Sequence, residues 1–248
     1  MRYRLDLAYD GTHFCGWQIQ PAGRTVQQVV AEALTRLLRQ PITLTGSGRT
    51  DTGVHAHHQP THFDLEEPLT DPDQLLYRLA RLLPPDVKPT ALCAVPADFH
   101  ARFGAVARTY HYHVHQRPDP FQRFFSAFVG QPLAVDQMNA AAALLPGEHD
   151  FTTFSKTKGN VTNYRCRVSE AHWTADEATG RLLFTITANR FLRGQVRLLV
   201  GTLLDVGRNR LSVADFGAAL AAEDRGRSSS AAPAEGLTLW RVTYPEVS

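Results

Sequence analysis

The 248-residue sequence has few cysteines, few lysines and no long apolar run. Its three cysteines, Cys15, Cys93 and Cys166, are widely scattered and form no C-x-x-C pair, so neither a disulfide framework nor a cysteine zinc site is predicted. The longest aliphatic run covers only residues 140–145, whereas a membrane-spanning helix needs about 20 residues. The first residues alternate charged and apolar side chains, which is unlike a secretory signal. We therefore expect a soluble, cytoplasmic protein with no membrane partner.

Most of the basic residues are arginines. Of the 26 basic residues only three are lysines, and arginine is the cation better suited to bidentate phosphate contacts and to stacking on bases. Genomic base composition can also enrich arginine, so the position of the charges is more informative. Residues 1–103 carry a net charge of −1 and residues 104–248 a net charge of +3, while the segment 151–210 alone carries +6. Such a local excess is typical of a surface that faces a polyanion.

Apolar periodicity predicts an α+β protein with two halves, 1–103 and 104–248, that each mix strands and helices. The elements expected in the first half are strands at 2–9, 41–45, 55–63 and 88–95, and helices at 25–39 and 71–83. This βαββαβ order is the ferredoxin-like arrangement, which RRM domains share. The elements expected in the second half are strands at 105–115, 151–155, 164–174, 182–188 and 237–244, helices at 135–145, 191–206 and 213–222, and a mobile loop or hinge at 225–235.

A glycine-rich turn at 46–53 separates two of the predicted strands. Glycine allows the backbone to approach another chain closely, and Asp51 lies where its carboxylate can be presented beside Arg49. The pattern alone favours a structural turn aspartate, with a catalytic carboxylate as the alternative.

Two other groups of residues have both a structural and a chemical interpretation. His111 and His113 share one face of a predicted strand, which makes a zinc site conceivable, but no carboxylate occurs at a recognised metal spacing. Partly exposed histidines are the commoner explanation, and no metal site is predicted. Arg190, Arg193 and Arg197 are three and four residues apart and therefore share one side of a helix. That side is either a solvated basic face or a polyanion-binding face.

Several short motifs take on more meaning when they are considered together. In chain order they are Tyr9-Asp-Gly-Thr, Gly16-Trp-Gln, Gly48-Arg-Thr-Asp-Thr-Gly-Val-His55, Phe99-His-Ala-Arg-Phe103, Arg108-Thr-Tyr110-His-Tyr112, Asp150-Phe-Thr-Thr-Phe154 and Glu235-Gly-Leu237. In this order they resemble the tRNA pseudouridine synthase A family, from about residue 3 to residue 245. The family usually has alanine at the position of Thr52, and this small-for-small change leaves Asp51 and its flanks in place.

The resemblance implies an enzyme that isomerises uridine to pseudouridine at nucleotides 38 to 40 of the tRNA anticodon arm after flipping the base. It also implies a pseudouridine synthase fold of two related halves around a central cleft, a homodimer that binds tRNA, and no metal or organic cofactor. By motif match, Asp51 resembles the catalytic aspartate, Arg49 the arginine that fills the space of the flipped nucleotide, and Tyr110 the tyrosine that stacks on the target base. Arg197 is similar to the arginine that pairs with the catalytic carboxylate, and Leu237 to an apolar wall of the pocket.

The residue types fit that chemistry, because an ionised Asp51 can either attack C1′ covalently or remove a C2′ proton to give a glycal. The sequence leaves both routes open. In this interpretation the first half carries the catalytic loop, and the second half binds tRNA and completes the active site. The competing hypotheses are a tRNA-binding module without catalysis, which would not be expected to keep Asp51, and a zinc-dependent hydrolase or deaminase built on the histidines.

Overall fold

The computed structural model describes residues 1–156 and 162–245, and its chain divides into two compact units. The first unit comprises Met1–Val106 together with the chain from Leu239 onward, and the second comprises Ala107–Thr238. The basic segment 151–210 includes residues 157–161, which lie outside the described residues. In the part of the chain that is described, no helix is long and apolar enough to cross a membrane.

The elements of the first unit occur in the order strand, helix, strand, strand, helix, strand. They are β1 Arg2–Tyr9, α1 Val26–Leu38, β2 Thr45–Gly46, β3 His55–Asp64, α2 Pro72–Leu82 and β4 Val87–Val95. The strand predicted at 41–45 is wrong in extent, because only Thr45 and Gly46 pair with β3. Ile42 and Leu44 are nevertheless buried, so their alternating side chains pack into the core without forming a strand ladder.

The second unit has more elements. They are β5 Ala107–His115, β6 Ala127–Phe128, α3 Val135–Ala142, β7 Gly147–Asp150, β8 Arg165–Asp176, β9 Arg181–Ala188, α4 Gln195–Gly207 and α5 Val213–Ala221. The closing strand, β10 Leu237–Thr243, has its first two residues in the second unit and the rest in the first. The strand predicted at 151–155 is wrong, because these residues form a turn and β7 comes just before them. Phe151 and Phe154 are both buried, and a spacing of three residues does not match the two-residue period of a strand.

Side-chain caps determine where the helices of the first unit begin. Thr25 accepts a hydrogen bond from the backbone N–H of Gln28, and Asp71 accepts one from that of Gln74. Pro72 follows as the first residue of α2, where its missing N–H costs no helical hydrogen bond. Each helix also buries an apolar stripe, so capping and packing agree on the same boundaries.

The strands of both units are mostly antiparallel. In the first unit the order is β4-β1-β3, and β2 and β10 also pair with β3. In the second unit the order is β5-β9-β8-β7, and β6 pairs in parallel with β5. Side chains alternate between the two faces of β5, where Tyr112 and Val114 are buried while His111 and His113 stay half-exposed on the opposite face. Helices and strands are thus mixed along the chain in an α+β architecture.

Candidate active site

The predicted catalytic loop connects β2 to β3 in the first unit. Asp51 is half-buried in this loop, and its neighbours Arg49 and Thr52 are exposed. The backbone N–H of Val54 donates to the carbonyl of Asp51 at 3.1 Å and closes the turn. The loop therefore holds Asp51 on a hydrogen-bonded backbone just before β3 begins.

Part of the N-terminal motif braces this loop from a distant position in the sequence. The Tyr9 and Thr50 hydroxyls are 2.8 Å apart, and the backbone N–H of Trp17 donates to the Thr50 carbonyl at 3.2 Å. A Cβ added to Gly16 would lie only 2.5 Å from the same carbonyl oxygen. Only glycine permits this close backbone approach, so Gly16 helps to fix the residue directly before Asp51. The Gly16-Trp-Gln motif was the sequence signal for this brace, but its role was not apparent from the residues alone.

A buried amide fixes the start of the same loop. The Ser47 hydroxyl donates to Oε1 of Gln59 at 2.8 Å, and Nε2 of Gln59 donates to the carbonyl of Gly48 at 2.9 Å. Ser47 and Gln59 are both buried, so breaking either hydrogen bond would leave a polar group unsatisfied away from water. Sequence reasoning missed Gln59, because a single amide within a histidine-rich strand has no motif or periodic signal.

Tyr110 lies on β5 in the second unit and is half-buried. It is paired with Ile186 of β9, and the ring of Phe191 packs edge-on against it with centroids 5.1 Å apart. Edge-to-face packing of this kind restrains the orientation of an aromatic ring. Phe191 is thus a supporting residue that the sequence did not single out, since it follows β9 in a segment predicted to be helical.

Arg197 lies in the first turn of α4 and is half-buried. Its Nε donates to the carbonyl of Ala232 at 2.7 Å, and the N–H of Ala232 donates to the carbonyl of Arg197 at 2.8 Å. This reciprocal pair orients the guanidinium through one of its three nitrogens. The helix predicted from residue 191 begins instead at Gln195, because Gly194 has a φ of 71° that interrupts the helical backbone.

The stretch 225–235, predicted as a mobile loop or hinge, is tied to the rest of the second unit. The N–H of Ser229 donates to the Thr202 hydroxyl at 3.2 Å, and just before the stretch the N–H of Asp224 donates to the Thr153 hydroxyl at 3.0 Å. Two short 3-10 helices, Arg225–Arg227 and Ala234–Gly236, lie within this region. The serines and the proline that suggested mobility are therefore part of a bonded segment.

Leu237 follows this segment as the first residue of β10 and is buried. Just before it, the Tyr112 hydroxyl donates to the carbonyl of Pro233 at 2.9 Å. Burial raises the pKa of Tyr112 well above its ordinary value, and nearby Glu235 adds to the rise, so the hydroxyl stays a donor at neutral pH. The segment 232–237 thereby contacts both Arg197 on α4 and Tyr112 on β5.

The five predicted site residues fall into two sets. Asp51 and Arg49 share one loop of the first unit, whereas Tyr110, Arg197 and Leu237 belong to the second unit. The supporting contacts differ between the two sets. Backbone hydrogen bonds and a buried amide hold the loop, whereas an aromatic ring packs against Tyr110 and a backbone carbonyl orients Arg197.

The histidines make hydrogen bonds with nearby groups. Nε2 of His58 lies 3.2 Å from the Asp6 carboxylate, and its Nδ1 accepts from the N–H of Val242 at 3.2 Å. Nδ1 of His115 lies 3.0 Å from the Ser126 hydroxyl. Over residues 1–156 and 162–245, no group of three or more His, Cys, Asp or Glu could hold a metal ion. The zinc hypothesis therefore has no ligand set in this part of the chain.

Comparison with protein-family models matches residues 7–104 and 141–245 to the family described as tRNA pseudouridine synthase. A Porphyromonas gingivalis protein named tRNA pseudouridine synthase A is 46% identical over 247 residues, covering 98% of this chain and 97% of the relative. Proteins of the same name from Bacteroides fragilis and Limosilactobacillus fermentum are 45% and 40% identical, covering 99% and 98% of this chain and 97% and 96% of the relatives. These matches define an isomerase class that acts on uridine in tRNA. The chain belongs to the tRNA pseudouridine synthase family, which confirms the resemblance found in its motifs.

Proposed function

We propose that this protein converts uridine to pseudouridine at nucleotides 38 to 40 of the tRNA anticodon stem-loop, with Asp51 as its catalytic residue. The observation that carries the proposal is the double support of the Asp51 loop. Gln59 holds the loop at its start, and the Trp17 backbone holds the carbonyl of the residue directly before Asp51. A catalytic loop whose backbone is held in advance in this way loses little freedom when it meets the reacting sugar.

The isomerisation conserves all atoms, so it needs no co-reactant. In the covalent route a carboxylate oxygen of Asp51 bonds to C1′ while the C1′–N1 bond breaks and its electron pair leaves with the uracil. The uracil then rotates, C5 bonds to C1′, and the carboxylate leaves. The proton lost from C5 is balanced by the proton gained at N1. In the glycal route Asp51 instead takes the C2′ proton, the C2′–H electron pair forms a C1′=C2′ double bond, and the C1′–N1 electron pair leaves with the uracil. C5 of the rotated uracil then bonds to C1′ while Asp51 returns the proton to C2′.

The remaining site residues are proposed to recognise the flipped nucleotide. Tyr110 stacks on the target base, which its restrained ring supports, and the exposed Arg49 fills the space that the base leaves. The family resemblance gives Arg197 the role of pairing with the catalytic carboxylate, and the hydrogen bond from its Nε to Ala232 orients its guanidinium. Leu237 supplies an apolar wall, in keeping with its burial at the start of β10.

We also propose that the two units are related halves of a pseudouridine synthase fold. In the first unit a strand, a helix, two strands and a helix follow one another as β1, α1, β2, β3 and α2. The second unit has the same order in β5, α3, β8, β9 and α4, with the short strands β6 and β7 inserted before and after α3. In each unit the first of these strands lies beside the third, and the third beside the second. This adjacency is that of the ferredoxin-like and RRM-like arrangement.

The family resemblance supports three further parts of the proposal. The first half carries the catalytic loop, and the basic second half binds tRNA and completes the active site. The protein acts as a homodimer. It works in the cytoplasm, where its tRNA substrate is present.

The experiment that tests the proposal compares Asp51→Asn with Thr52→Ala, a change at the exposed neighbouring residue. Asp51→Asn removes the charge while it keeps the shape, so turnover should fall by about a thousandfold or more while tRNA affinity stays within a few-fold. Thr52→Ala should keep both, because surface changes of this kind have small effects. The assay follows tritium released from tRNA labelled at uracil C5 and maps the pseudouridine formed.

Single-turnover product formation by Asp51→Asn at a near wild-type rate would contradict the catalytic role. If the wild-type protein bound tRNA but released no tritium, the alternative of a tRNA-binding module would be favoured instead.

A further inference from the structure

The turn between β5 and β6 exposes a group of phenylalanines. Phe121 is 89% exposed, and Phe124 and Phe125 are exposed by 38% and 49%. Phe128, the last residue of β6, is 54% exposed. Isolated apolar side chains at the surface are normal, but a cluster of large rings usually marks a binding site. The turn lies within residues 105–140, between the two segments that match the family model. The family match therefore does not cover this turn.

Three arginines accompany these rings. Arg117 and Arg123 lie on either side of Phe121 in the sequence, and the Arg123 guanidinium carbon is 4.5 Å from the centroid of the Phe124 ring. Arg181 at the start of β9 lies 3.9 Å from Asp119, the one acidic residue between β5 and β6 in the sequence. We call this set the Phe121 platform. It comprises Arg117, Phe121, Arg123, Phe124, Phe125 and Arg181.

Hydrogen bonds hold the platform in one shape. The N–H of Phe121 donates to the Asp119 carboxylate at 2.9 Å, and the N–H of Phe125 donates to the carbonyl of Gln122 at 2.9 Å. Arg117 donates to the carbonyl of Ala178 at 2.9 Å. A platform that is already ordered loses little conformational entropy when it binds a ligand.

A pocket of about 290 Å³ opens beside Phe125 within the second unit. Its lining combines the apolar residues Val114, Phe125 and Leu182 with residues that can donate or accept hydrogen bonds, namely His113, Gln122, Ser126, Arg181 and Thr238. This volume is close to the lower limit for small-ligand sites, and the mixture of apolar and polar groups suits a planar, polar ring such as a nucleobase.

We propose that the Phe121 platform is a second RNA-contact surface, which stacks unpaired bases of the tRNA on Phe121 and Phe124 and binds the adjacent phosphates with its three arginines. The inference rests on tRNA being the substrate. Aromatic rings bind bases of any sequence through their faces, and arginine adds both charge and planar stacking. The platform thereby adds affinity without touching the reacting nucleotide.

The charges favour RNA over a second copy of the chain. A two-fold contact formed by this platform on each of two copies would gather six arginines with only two copies of Asp119 to pair with them. Burying an unpaired guanidinium is costly, whereas a polyanion neutralises all three arginines.

The first test measures tRNA affinity for Phe121→Ala and Arg123→Ala by filter binding at several salt concentrations. Tyr77→Ala and Arg78→Ala on α2 of the first unit are the matched controls, because both side chains are exposed. Phe121→Ala should raise Kd about tenfold, since one stacked base is lost. Arg123→Ala should reduce the slope of log Kd against log salt by about 0.7 to 0.9. If both platform variants bind tRNA like the controls, the proposal is overturned.

A second pair of variants separates base stacking from general apolar contact. Phe121→Trp should bind tRNA as well as the wild type, whereas Phe121→Leu should bind about as weakly as Phe121→Ala, because leucine has no aromatic face. A leucine variant with wild-type affinity would overturn the stacking role.

Photo-crosslinking from position 121 identifies the occupant directly. With benzoylphenylalanine in place of Phe121, crosslinks to tRNA would support the proposal, and crosslinks to a second copy of the chain in the presence of tRNA would overturn it. The same label in place of Tyr77 is the control for random contact.

Kinetics distinguish failure of this inference from failure of the proposed function. With C5-labelled tRNA, Phe121→Ala should raise KM about tenfold and leave kcat unchanged, because the ring makes no contact with the reacting atoms. A wild-type protein that formed no pseudouridine would count against the proposed function. An active wild type with a Phe121→Ala variant of unchanged KM would overturn only the platform.

Discussion

At the scale of single residues, Tyr110 combines an aromatic ring with a hydroxyl, and one substitution separates them. Tyr110→Phe should leave tRNA affinity within about threefold of wild type, because the ring stays beside Phe191 and keeps its stacking area. The single-turnover rate, measured by tritium release, then reports on the hydroxyl. An unchanged rate would show that Tyr110 only stacks, and a collapsed rate that its hydroxyl helps to remove the C5 proton. A large loss of tRNA affinity would count against both roles.

His62 is the residue whose protonation should limit stability in acid. Burial, together with the positive charges of Arg2 and His100, lowers the pKa of His62 from 6.5 to about 4. Its Nδ1 also accepts a hydrogen bond from the N–H of Ala101 at 3.2 Å, which a protonated ring could not do. Between about pH 6.5 and pH 4 the unfolded chain therefore binds a proton that the folded chain does not. The free energy of unfolding should fall as the pH falls through this window.

Urea unfolding at pH 7 and pH 5 measures this effect, with His62→Gln as the control because glutamine keeps an acceptor but does not titrate. Between pH 7 and pH 5 the free energy of unfolding of the wild type should fall by about 2 kcal/mol more than that of the variant. Equal losses in both proteins would show that His62 does not control the acid sensitivity.

At the scale of elements, the loop between β2 and β3 depends on a segment that ends some thirty residues earlier in the chain. Gly16 has a φ of 86° and leaves no room for a Cβ beside the Thr50 carbonyl. Gly16→Ala should therefore reduce the free energy of unfolding by about 1 to 3 kcal/mol, and it should lower turnover because the peptide before Asp51 moves. Urea unfolding and tritium release are the two measurements.

The control for that prediction is Gly48→Ala, a glycine in the loop itself. A Cβ added there would meet no atom within 4 Å, so stability should change by less than about 0.5 kcal/mol. Wild-type stability in Gly16→Ala, or an equal loss in Gly48→Ala, would contradict the role given to the brace.

At the scale of the whole molecule, the net charge of +2 is small, but the segment 151–210 concentrates an excess of +6. Each phosphate contact contributes about 0.7 to 0.9 to the slope of the logarithm of the tRNA binding constant against the logarithm of the salt concentration. We therefore expect a slope steeper than about −3. Arg193→Ala should make this slope shallower, because Arg193 is exposed in that segment. Arg36→Ala on α1 is also exposed and should leave the slope unchanged. Filter binding between 50 and 300 mM salt tests this, and a flat response would contradict it.

The family, the α+β class and the helix starts at Thr25 and Asp71 follow from local patterns in the sequence. These depend on short patterns: a run of motif residues, an apolar period and a cap followed by its helix. The assignment of Asp51 as catalytic also came from a local motif, and it stays a prediction.

The residues that support the loop and the packing of its surroundings depend on contacts that form only in the folded chain. The amide of Gln59 and the glycine at position 16 act through contacts with residues distant in the chain, and no local period encodes such contacts. The same reason explains why the serine-rich stretch 225–235 forms a hydrogen bond with Thr202 on α4, and why the chain from Leu239 onward groups with the first unit. Local sequence sets the propensity of a segment, whereas the partners that a fold brings to it decide the conformation it finally adopts.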